Sequence, residues 1–151
     1  MAKAHSLIGK YPDVFATPVD IAIDKEGERI EIDVREMKKG DKIYDLDPKT
    51  IEYYSELIAG AGTGFISGSA GFFEKENFRH RTKSLLNAVA NSMATTIVSG
   101  GHLTTALKQQ GLTDKINHTN PDGEASVLYI TGEKLPMVKV SEEAAIKHKS
   151  K

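Results

Sequence analysis

The feature that most limits the fold is a repeated pairing of a short apolar run with a glycine-bearing loop. Thr63 to Ser67 runs into Gly68-Ser69-Ala70-Gly71, Met93 to Val98 into Ser99-Gly100-Gly101, and Lys115 to Thr119 into Pro121-Asp122-Gly123. Amphipathic stretches follow the first two, with Leu85, Leu86, Val89 and Ala90 on one face of Phe78 to Ala90, and His102 to Gln110 closed by Gly111. Strand, glycine turn and helix in succession is the pattern of an α/β fold with a parallel sheet. In such sheets ligands sit beyond the carboxyl ends of the strands, which is where these loops fall. After the last loop, Ala125 to Thr131 stays open between strand and helix. Val127, Tyr129, Ile130 and Thr131 favour a strand, while the position after an α/β turn favours a helix.

Ahead of this repeat, Val14 to Asp24 reads as a strand with Pro18 near its start or at an edge, and Arg29 to Val34 alternates at period two across a Lys25 to Glu28 turn. These predict a β-hairpin near the N-terminus with one wet face. Lys42 to Leu46 is a further short strand. Asp47 is placed as the N-cap of a helix with Pro48 at its first position, and Ile51, Tyr54, Leu57 and Ile58 share a face. The polar end, 141–151, is expected to fray.

The 151 residues fit one domain, 1–151. A net charge of −1 gives no electrostatic footprint for nucleic acid or an anionic membrane. Without cysteine there are no disulfides, thiolate metal sites or thiol nucleophiles. His5, His80, His102, His118 and His148 are scattered without metal-ligand spacing, and Arg79, His80, Arg81 and Lys83 read as a solvated helix face. No apolar run approaches a membrane span and no signal peptide is present, so a cytoplasmic location is expected.

The loops are suited to phosphate, because glycine admits close backbone approach and a following helix presents free N–H groups. Four motifs in order, Tyr44-Asp45-Leu46-Asp47-Pro48-Lys49-Thr50-Ile51, the SGSAGFFE loop from Ser67 to Glu74, the turn Ser99-Gly100-Gly101-His102 and GLTDKINH from Gly111 to His118, resemble the C-terminal region of archaeal-type phosphoglycerate kinases. The resemblance runs from about Tyr11 to Val138. It implies the second half of the nucleotide-binding domain, a partial Rossmann-like three-layer parallel sheet. It also implies ATP or ADP with Mg²⁺ as ligand, a nucleotide-binding role for Gly68, Gly71, Glu74, Gly100, Gly101 and His102, and contact of Glu74 with the ribose.

Departures from the family pattern bear on chemistry. Asp47 stands where the family has glycine, Ser67-Gly68-Ser69 where it has Asn-Gly-Pro, and Ser99 in place of the first glycine of the third loop. The family's Ser/Thr- and glycine-rich phosphate cradle is here Asn120-Pro121-Asp122-Gly123-Glu124. Pro121 has no N–H to offer, and Asp122 is expected to cap the following helix where a phosphate oxygen would lie. Each carboxylate facing the phosphate adds a repulsion on the order of a kcal/mol. No Gly-Ala-Lys-Val loop occurs in the sequence, and the family's substrate domain, with its basic cluster and arginine, has no counterpart in it. The expectation is a chain inactive alone, with weak nucleotide binding, that partners itself as a homo-oligomer or a complementary polypeptide. The alternative is a split subunit of an active kinase, converting ATP and 3-phosphoglycerate to ADP and 1,3-bisphosphoglycerate.

Overall fold

The computed structural model describes residues 2–72 and 74–149. A helix, α1 (Ala2–Lys10), leads into a 3₁₀ turn at Pro12–Val14. Strands β1 (Asp20–Lys25), β2 (Glu28–Asp33) and β3 (Ile43–Leu46) form an antiparallel sheet in the order β2-β1-β3. The hairpin turn places Glu26 at φ 54° and Gly27 at φ 91°, and the Gly27 N–H donates to Asp24 Oδ1 at 2.8 Å. Two positive φ values in a two-residue loop match the right-handed twist of the strands they join. Ile21 and Ile23 face Ile32 and Ile30 across the ladder and are both buried.

Two expectations change here. The first strand begins only at Asp20, because Pro12 opens a 3₁₀ turn and Val14 lies 74% exposed without a ladder partner. The run ending at Leu46 pairs with β1, setting Ile21 against Leu46 and Ala22 against Asp45, so the hairpin grows into a three-stranded sheet.

Helix α2 (Pro48–Ala59) crosses to β4 (Thr63–Ser67), followed by α3 (His80–Asn91), β5 (Thr95–Ser99), α4 (Gly101–Gln109), β6 (His118–Asn120), α5 (Gly123–Ile130) and α6 (Pro136–Lys149). Strands β4, β5 and β6 are parallel, in that order. Leu86 and Val89 of α3 and Leu103, Ala106 and Leu107 of α4 bury Val98 of β5, with Ile66 and Ile58 packed alongside. The other side of the sheet carries Phe65 and Ile97 side by side, and Phe65 is 37% exposed. Along its outer side β4 has no neighbouring strand among the described residues.

Asp47 occupies the N-cap position of α2, yet its carboxylate makes no capping bond. Asp20 of β1 takes that role, accepting the Lys49 and Thr50 N–H groups at 3.0 and 2.7 Å. Burial pushes the Asp20 carboxyl up, but these bonds and the Thr50 hydroxyl outweigh it and hold it below the ordinary range. The segment 125–131 resolves mostly as helix, since Asp122 caps α5 and satisfies the N–H of Ala125. The expected frayed tail is helical to Lys149, while Ser150 and Lys151 lie outside the described residues.

Candidate functional site

Gly68 and Gly100 directly follow β4 and β5, and Gly123 opens α5 just beyond β6, all on the same edge of the sheet. Gly68 and Gly100 adopt φ 83° and 110°, conformations that glycine supplies without strain. The loops converge closely: a Cβ on Gly123 would stand 3.6 Å from Gly100 Cα and 3.9 Å from Ser67 Oγ. Two hydrogen bonds lock them, the Gly100 N–H donating to the Asn120 carbonyl at 2.8 Å and the Ser99 hydroxyl donating to the Asp122 carbonyl at 3.3 Å.

On one side of this convergence Glu74 Oε1 lies 3.1 Å from His102 Nδ1, with both side chains more than half exposed. Glu74 and His102 join Gly101 and Thr105 around a cleft of about 370 Å³. Glycine N-caps α4, so no cap side chain takes up the N–H groups of its first turn. The sequence reading brought out Glu74, Gly101 and His102 but not Thr105, although one helical turn beyond His102 is where a fourth wall residue falls. A second cleft, about 190 Å³ and apolar, is lined by Gly68 together with Leu46, Tyr54, Ala70 and Leu85. Those wall residues come from β3, α2, the loop after β4 and α3.

Gly71 has a different role from its neighbours. It is buried, its N–H donates to Thr82 Oγ1 at 3.1 Å, and a Cβ there would overlap the Phe78 carbonyl and the Asp45 carboxylate. This glycine is a packing contact between the loop and the antiparallel sheet. Phe73, in the same loop, lies outside the described residues.

The third loop is closed upon itself. Asp122 Oδ1 accepts the Ala125 N–H at 3.0 Å, Asn120 Oδ1 accepts the Asp122 N–H at 3.0 Å, and Asn120 Nδ2 donates to Ser126 Oγ at 2.6 Å. The orphan amides that a helix start offers to an anion are here partly claimed by protein oxygens, and Glu124 adds charge in the first turn. The α4 start, bearing Gly100, Gly101 and His102, has no such plug. Among the described residues no group of three His, Asp or Glu side chains converges to hold a metal ion, and no helix is long and apolar enough to cross a membrane.

A family model described as phosphoglycerate kinase matches residues 1–133. The phosphoglycerate kinase of Methanothermus fervidus is 43% identical over 141 residues, covering 93% of this chain and 34% of the relative. That of Methanococcus maripaludis is 36% identical over 150 residues, covering 97% and 36%. The crystal structure of phosphoglycerate kinase from Pyrococcus horikoshii superposes with a TM-score of 0.80 at 31% identity, over 91% of this chain and 35% of that one. The structure of the Coxiella burnetii enzyme gives the same TM-score at 30% identity. The chain spans about a third of the length of the curated relatives it matches.

Proposed function

The chain belongs to the phosphoglycerate kinase family, and from that premise we propose that its parallel half is a nucleotide-binding lobe that holds the adenosine end of ATP or ADP and handles the phosphates poorly. The observation that carries this reading is the Asp122 carboxylate bonded into the first turn of α5, while Glu74 and His102 stay together beside the uncapped start of α4. Mg²⁺, carried on the nucleotide, would neutralise phosphate charge. The chain's own residues supply a ribose-facing carboxylate, an imidazole and the glycine turns. In a thermal-shift titration, adenosine and ATP with Mg²⁺ are expected to raise the melting temperature alike, and Glu74→Ala to abolish both shifts. A shift with ATP but none with adenosine would refute the reading.

A second proposal concerns partners. The outer side of β4 and the exposed Phe65 and Ile97 side of the parallel sheet leave main-chain groups and apolar surface that proteins normally cover. We propose that a second copy of the chain covers them about a two-fold axis, the commonest closed arrangement. Light scattering at micromolar concentration is expected to give twice the chain mass, falling to one in Phe65→Lys. A soluble monomer with a cooperative melt would refute it. A complementary polypeptide carrying the rest of the kinase would occupy the same surface and would show as a hetero-complex when the two are mixed.

A further inference from the structure

Apart from the nucleotide edge, the least expected group in the molecule is Asp47, a side chain 1% exposed at the joint between the two sheets. Its Oδ1 accepts from Arg29 Nη2 at 2.5 Å, while Oδ2, also buried, receives no hydrogen bond. A buried carboxylate oxygen without a donor is costly. A second acid, Glu31 of β2, lies 3.4 Å from the same Arg29 guanidinium, and both acids line one cleft of about 250 Å³ with Asp20, Asp33, Glu36 and Lys49.

The charges at the joint do not balance. Arg29 serves Asp45 at 2.9 Å, Asp47 at 2.5 Å and Glu31 at 3.4 Å. Arg81 of α3 adds one more cation, 3.5 Å from Glu31; the sequence reading placed it on a solvated face, but its Nε is buried. Two guanidinium groups thus face three carboxylates, leaving one negative charge in excess. Of the other charged groups lining the cleft, Asp20 is taken up by the amides of α2 and Asp33 by Arg35 at 2.7 Å. Glu36 adds to the negative side, and Lys49 is the cation opposite.

We propose that Asp47 and Glu31 form a proton-binding pair, with Asp47 Oδ2 carrying a proton that it donates to the Glu31 carboxylate. The bond tightens the joint between the antiparallel sheet and the nucleotide lobe. A proton on Oδ2 supplies the absent donor and removes the excess charge together. The start of α2 favours an anion at Asp47, but burial, and after it the neighbouring Glu31, work against ionisation and outweigh Arg29, pushing the Asp47 carboxyl up to about 6. Asp45, which Arg29 also holds, is pushed up by burial as well, so the pair has no easier place to unload its charge. On deprotonation the proton leaves through Glu31, whose side chain is 51% exposed.

The joint matters because Arg29 also donates to the Asn77 carbonyl at 3.1 Å and the Leu46 carbonyl at 3.1 Å, and so fastens the loop that bears Glu74. An acid whose folded pKa lies above its unfolded value binds its proton more tightly when folded. Its stabilisation is complete below the ordinary carboxylate range and is lost as pH rises through about 6. Asparagine at 47 imitates the protonated acid, accepting from Arg29 and donating to Glu31.

The test is the melting temperature of the full chain between about pH 5 and about pH 7.5. The wild type should lose more on alkalinisation than Asp47→Asn, and the variant should melt no lower than wild type at the upper pH. Equal losses in the two proteins would overturn the proposal. Carbon-13 carboxyl titration of the wild type reads the same group without any variant. A midpoint for Asp47 near 6 is expected, and one in the ordinary carboxylate range of about 4 would overturn the pairing.

Discussion

Given 1,3-bisphosphoglycerate, ADP and Mg²⁺ in a coupled assay, the 151-residue chain is expected to produce no ATP above background. Phosphoryl transfer depends almost entirely on positioning and on cationic groups that take up charge on the migrating phosphoryl. Loss of one such donor typically costs about a hundred- to a thousandfold in turnover, and loss of an arginine about a thousandfold or more. No lysine-bearing glycine loop occurs in these residues, and the start of α5, proposed above as the phosphate end, carries Asp122 and Glu124. Compounded, these losses take a kinase turning over at roughly 1–100 s⁻¹ far below detection. Mg²⁺-dependent turnover that vanishes in Glu74→Ala would show that the lobe retains chemistry.

Gly71→Ala should destabilise the fold by at least about 3 kcal/mol, the upper range for overpacking a well-filled site. The new methyl group would meet the Phe78 carbonyl and the Asp45 carboxylate, and neither can yield cheaply. Phe78 is buried and packs on Tyr44 with ring centres 5.1 Å apart, while Asp45 is fixed by Arg29. Gly68→Ala is the control, since open space surrounds that position and only its φ of 83° resists, at about 1–2 kcal/mol. Urea unfolding separates the two. Equal and small losses would mean that Gly71 is a turn glycine like Gly68.

The parts of this fold that could be read from the sequence are those fixed by local pattern. The runs at β4 and β5, the turns at Gly68 and Gly100, and the buried stripe of Leu86 and Val89 all lie where spacing puts them. Asp122 as an N-cap was legible too, and its geometry decides α5 as helix over the strand preference of Val127 and Ile130. What stayed hidden was set by distant partners. Val14 has a strand-forming side chain but no ladder opposite it, so β1 starts late. Arg29 looks like one wet position of an alternating strand, and only folding brings it onto Asp45 and Asp47. Gly71 reads as a ligand glycine because it follows a strand, whereas a contact with Asp45, far off in the sequence, dictates it. In α6 the run Glu142-Glu143-Ala144-Ala145 has helix-forming residues, a signal that the polarity of the tail masks.

If the chain's own carboxylates fill the anion site at α5, removing them should restore affinity for the phosphates. Calorimetric titration of ATP and adenosine into the parent and into a variant combining Pro121→Gly, Asp122→Ser and Glu124→Gly tests it most directly. Serine keeps an uncharged cap for α5, so a change in affinity reports the charge and the recovered N–H rather than a lost helix. The parent should bind ATP and adenosine within a fewfold of each other. In the variant ATP should gain about tenfold, or roughly 1.4 kcal/mol, with adenosine unchanged. ATP already tenfold tighter than adenosine in the parent, or no gain for ATP in the variant, would contradict the claim.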